Sequence, residues 1–62
     1  MNGYYSQVIQ ILREHGFSLI RMGRGSHEIW GRSSTNVTVP FNMPSRHTAN
    51  AVMKQAGIQH RF

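Results

Sequence analysis

The chain contains no cysteine, so no disulfide can staple it and no thiolate is on hand as a nucleophile or zinc ligand. Acidic residues are nearly missing too: Glu14 and Glu28 are the only carboxylate side chains. Glu14 falls on the polar side of a helical stretch. Glu28 sits in a strand candidate, next to His27 and therefore pointing to the opposite face. That spacing argues against a two-carboxylate hydrolase and against a hard-cation cage. The four histidines, His15, His27, His47 and His60, show no i, i+4 ligand spacing. Neither a metal nor a cofactor is expected. No run approaches the roughly 20 apolar residues of a membrane span. The start has no apolar core of a secretory leader. A cytoplasmic protein with no membrane partner is the expectation.

What the chain does have is positive charge. Seven Lys and Arg against two acids give a formal +5, and six of the seven are arginine. Guanidinium forks suit phosphate better than ammonium groups do. A field of this sign attracts polyanions, so nucleic acid is the first candidate partner and an acidic protein the second. At 62 residues the chain is expected to form a single domain over residues 1–62. A domain of this size buries only about 60% of its unfolded surface, so a bound partner would add needed stability.

Along the chain, Tyr5, Val8, Ile9 and Leu12 recur at i, i+3, i+4 and i+7, which predicts a helix over Tyr4–His15 with Asn2 as cap and Gly16 as stop. Phe17–Met22 reads as a strand, with Phe17, Leu19 and Arg21 on one face. Gly23-Arg24-Gly25 reads as a tight turn. Ser26–Gly31 is a second strand, Arg32–Thr35 a polar turn and Asn36–Pro40 a third strand with alternating β-branched residues. A second helix, starting between Ser45 and Thr48, repeats the apolar spacing at Ala49, Val52, Met53 and Ala56 and stops at Gly57. The tail Ile58–Phe62 either docks or frays. The predicted class is α+β, in the order α-β-β-β-α. It is a double-stranded-RNA-binding-domain-like architecture: a three-stranded antiparallel sheet with both helices on one face, because each helix has one apolar stripe to bury.

The stretch Gly23–Trp30, GRGSHEIW, carries the candidate chemistry. It is not a phosphate loop of the Walker type, since it lacks the Lys-Ser/Thr ending and lies in a hairpin. Its backbone amides could still cradle one phosphate. His27 is a side chain able to exchange protons near neutral pH. RNA carries its own nucleophile, the 2′-hydroxyl, so a base, a proton donor and cations suffice to cleave it. His27 with Arg21 and Arg24 supplies part of that set. A solvated strand histidine is the plainer alternative. Trp30 reads either as sheet packing or as a stacking and partner-contact residue. Met43 and Met53 read as core fillers.

Four blocks occur in order over nearly the whole chain: Gly16-Phe17 after the first helix, Gly25-Ser26-His27 opening the second strand, Val37-Thr38-Val39-Pro40 in the third, and Lys54-Gln55-Ala56-Gly57-Ile58 closing the second helix. In this the chain resembles the HicA (YcfA-like) family of toxin ribonucleases from bacterial toxin–antitoxin pairs. The resemblance implies an endoribonuclease that cleaves mRNA without metal and arrests translation. It implies a HicB-like antitoxin as partner, within a higher-order toxin–antitoxin complex. It places the catalytic histidine at His27, with Gly25 and Ser26 beside it. With Arg21, Arg24 and Arg32, these form the expected phosphate-holding set. His27, Trp30 and Arg24 are the expected antitoxin contacts. The chain departs from the family pattern after Pro40, where Phe41-Asn42 stands instead of the usual histidine. A non-catalytic RNA-binding module and a pure partner-binding domain of the same fold remain the alternatives.

Overall fold

The computed structural model describes residues 3–62. Its elements run α1 (Tyr5–Glu14), β1 (Ser18–Met22), β2 (His27–Arg32), β3 (Thr35–Pro40) and α2 (Arg46–Ala56). The three strands form one antiparallel sheet in the order β1-β2-β3. The element order and antiparallel meander are as the patterning predicts. Gly16 and Gly57, read as helix stops, both take positive φ, at 88° and 73°. The Ile58 amide then bonds back to the Met53 carbonyl at 2.9 Å, which closes the end of α2. At the start of α2 the Ser45 hydroxyl accepts the His47 amide at 3.1 Å. The expected cap at Asn2 lies outside the described residues. Tyr4 occupies the cap position of α1 without a side-chain hydrogen bond.

Both helices lie on one face. Val8 and Leu12 of α1 and Ala49, Val52, Met53 and Ala56 of α2 bury against Phe17, Trp30, Val37 and Val39. Trp30 pairs with Val37 across β2–β3, so their side chains share the helix-covered face. Met43, in the link between β3 and α2, is fully buried in the same core. Tyr4 and Tyr5 are both half-buried, instead of one buried and one exposed.

Strand β1 departs from simple alternation. Its register shifts between Leu19 and Arg21, leaving Ile20 as an extra residue in a β-bulge. Leu19 pairs with Trp30 and Arg21 with Ile29. Leu19 and Arg21 therefore point to opposite faces, not to the shared face that period-two counting predicts. The reason lies in the neighbouring strand. Gly31 has no side chain, and the freed space over it is filled by Ile20 and Asn36.

Candidate active site on the open sheet face

The face away from the helices carries alternate residues of the strands. Arg21 pairs with Ile29, and Ile29 pairs with Thr38. With Gly23, Arg24 and His27 they line a shallow depression of about 400 Å³. The bulge at Ile20 is what brings Arg21 to this face. The depression thus gathers two arginines and a histidine and no carboxylate.

The β1–β2 hairpin positions His27. The His27 amide bonds the Arg24 carbonyl at 3.0 Å and the Gly23 amide bonds the His27 carbonyl at 2.8 Å. Gly25 sits at the tip with φ +56°, in the left-handed region that glycine enters without penalty. On the far side, Phe41 donates its amide to the Ser26 carbonyl at 2.9 Å, which ties the start of β2 to the end of β3.

The imidazole has a fixed orientation. Its Nδ1 lies 3.0 Å from the Arg24 carbonyl oxygen. A carbonyl can only accept, so Nδ1 carries the proton in that bond, and the neutral ring keeps its lone pair on Nε2. His27 is exposed, so Nε2 is open to a ligand. Chemically, this arrangement offers one proton acceptor beside two phosphate-seeking cations.

Glu28 points the other way. Its Oε1 accepts from the Tyr5 hydroxyl at 2.7 Å and from Trp30 Nε1 at 2.9 Å. This carboxylate belongs to the packing between α1 and the sheet, as the alternation at positions 27 and 28 requires. Among the described residues, no three His, Asp or Glu side chains come together as a metal-ligand group.

Two expected site residues are placed elsewhere. Trp30 is only 2% exposed, its ring set in the core with the Arg13 guanidinium 5.3 Å from its centroid. It is not a surface contact for an antitoxin or a base. The even step from Glu28 puts it on the helix-covered face. Arg32 is also corrected. It lies five residues along β2 from His27, roughly 16 Å at strand rise, and on the other face. Its guanidinium donates to the His15 carbonyl at 2.8 Å and lies over the Phe17 ring at 5.2 Å. Arg21, Arg24, Gly25 and Ser26 stay on or beside the depression with His27. Ile29 and Thr38 were not foreseen there. Thr38 could have been found from the Val37-Thr38-Val39 alternation, in which the valines are buried and the threonine between them must face out.

Compared with known proteins, residues 5–58 match the family described as HicA toxin of bacterial toxin-antitoxin. No curated protein and no solved structure matches the chain.

Proposed function

Starting from the fact that the chain belongs to the HicA toxin family, we propose that this toxin is an endoribonuclease that cleaves mRNA with His27 as general base, arrests translation, and is neutralised by a HicB-like antitoxin. The observation that carries the chemistry is the bond from His27 Nδ1 to the Arg24 carbonyl, which leaves Nε2 as the acceptor on a cationic face.

The scissile phosphate sits between Arg21 and Arg24. Nε2 of His27 takes the proton of the 2′-hydroxyl. The 2′ oxygen forms a bond to the adjacent phosphorus, and the bond from phosphorus to the 5′ oxygen breaks. The 5′ oxygen takes a proton from water, to which the open depression gives access. The products are a 2′,3′-cyclic phosphate and a 5′-hydroxyl. The two guanidinium groups offset the charge that builds on the phosphorane oxygens. The amides of Gly25 and Ser26 at the hairpin tip add donors to the same phosphate. An antitoxin that covers His27 and Arg24 blocks this step.

The test compares wild type with His27→Ala in cleavage of a defined RNA and in binding of the same RNA. General-base assistance is worth about 10²–10⁴-fold, and the variant loses that much cleavage while binding changes little. Equal cleavage by both proteins would remove His27 from the mechanism. Binding without cleavage by wild type would make the domain an RNA-binding module.

A further inference from the structure

A second cationic feature lies on the other side of the molecule. On α2, His47, Asn50, Ala51 and Lys54 fall at i, i+3, i+4 and i+7, the stripe opposite the buried Ala49, Val52, Met53 and Ala56. The tail folds back along this stripe. The Ile58 amide is held by the Met53 carbonyl, and the Phe62 amide donates to Asn50 Oδ1 at 2.8 Å. The Phe62 ring packs on Tyr4 at 5.2 Å and receives the His60 ring at 4.6 Å. Held at both ends, the tail and α2 enclose a groove of about 440 Å³. That is the size class of a small-ligand site.

We propose that this groove binds a nucleotide, with its phosphate on Lys54 and Arg61 and its base against Ala51 and Ile58. Three observations carry it. Lys54, Arg61 and the imidazoles of His47 and His60 all line the groove, and neither Glu14 nor Glu28 does. The floor between these polar groups is apolar, supplied by Ala51 and Ile58. The walls are fixed by hydrogen bonds and ring contacts, so little ordering is needed on binding. A cation beside an apolar floor matches a phosphate joined to a flat ring, whereas an acidic peptide would need cations without the floor. The groove lies on the outer side of the helix layer and the His27 depression on the open sheet face. One nucleotide fills one site only.

The site is independent of the ribonuclease reading, and its test uses His27→Ala protein so that cleavage plays no part. Amide shifts are followed by NMR as adenosine monophosphate, adenosine, inorganic phosphate or a poly-glutamate peptide is added. The nucleotide moves the Asn50, Ala51, Lys54 and Ile58 signals at millimolar concentration and binds more tightly than adenosine or phosphate alone. Adding Lys54→Glu and Arg61→Glu, both at exposed positions, weakens that binding about tenfold or more through loss of two charge-assisted contacts. No shifts in the groove, or shifts confined to Arg21, Arg24 and Thr38 of the sheet-face depression, would overturn the proposal. So would tighter binding of the peptide, which would make the groove a seat for an acidic protein.

Discussion

The Tyr5 hydroxyl donates to Oε1 of Glu28 at 2.7 Å, joining the first turn of α1 to the middle strand. The same oxygen accepts Trp30 Nε1, so one carboxylate satisfies two donors at the helix–sheet boundary. Glu28→Ala leaves both donors without this partner and is expected to cost about 2 kcal/mol of folding stability. Glu28→Gln keeps an acceptor oxygen and costs less. Urea unfolding measures both. RNA cleavage by the folded fraction stays at the wild-type level, because Glu28 faces away from His27.

The contact also gives Tyr5 an alkaline signature. Burial, then the hydrogen bond and charge of Glu28, push its phenol up from 10.0 to about 12, with Arg13 acting in the opposite direction. Between those values the folded chain holds a proton that the unfolded chain has released. Stability from this source is therefore complete below pH 10 and falls as pH rises toward 12. Tyr5→Phe removes that part of the slope, and Tyr4→Phe leaves it in place. Unfolding series from pH 9 to pH 12, at the roughly unit resolution such titrations need, distinguish the two.

Arg32 is a test of placement. Its guanidinium serves the His15 carbonyl and the Phe17 ring. Arg32→Ala is expected to lower stability by about 1 kcal/mol and to leave RNA affinity within twofold or so of wild type. Arg24→Ala, on the depression, does the reverse: stability holds and affinity falls, with a shallower salt dependence. Filter binding at several salt concentrations, set beside urea unfolding, reads both effects. An Arg32→Ala protein that loses RNA affinity without losing stability would return Arg32 to the phosphate site.

The contrast between Arg32 and Arg24 shows how far the sequence is legible. Apolar stripes place Val8, Leu12, Ala49, Val52 and Met53 in the core without ambiguity, because helix period and burial agree there. The opposite faces of His27 and Glu28 follow from strand alternation. The bulge does not follow from β1 itself. Ile20 becomes the extra residue because Gly31, on another strand, leaves room for it. Trp30 has the composition of a contact residue and the phase of a core residue, and phase decides. Ending the second strand at Gly31 puts Arg32 in the turn, whereas β2 runs on to Arg32. One further residue of strand turns its side chain toward α1. The tail is undecidable from sequence, since its docking rests on Phe62 and Asn50, a pairing with no periodic trace.

Gly25 separates turn geometry from packing. Its φ is +56°, and a methyl group added there meets no atom within 4 Å. Gly25→Ala therefore carries only backbone strain, on the order of 1–2 kcal/mol for an L-residue held left-handed. The chain can relieve that strain by rotating the Arg24–Gly25 peptide, which carries the carbonyl that holds His27 Nδ1. The expected result is a stability loss of about 1 kcal/mol together with a drop in cleavage of roughly tenfold, with RNA binding weakened far less because Arg21 and Arg24 still hold the phosphate when the Gly25 amide turns away. Gly25→Asn, whose side chain tolerates the left-handed region, falls between the variant and wild type on both measures. Single-turnover cleavage and urea unfolding on the same protein samples decide the matter. If Gly25→Ala loses stability yet its folded fraction cleaves at the wild-type rate, the Arg24 carbonyl supports the hairpin and not the proton transfer.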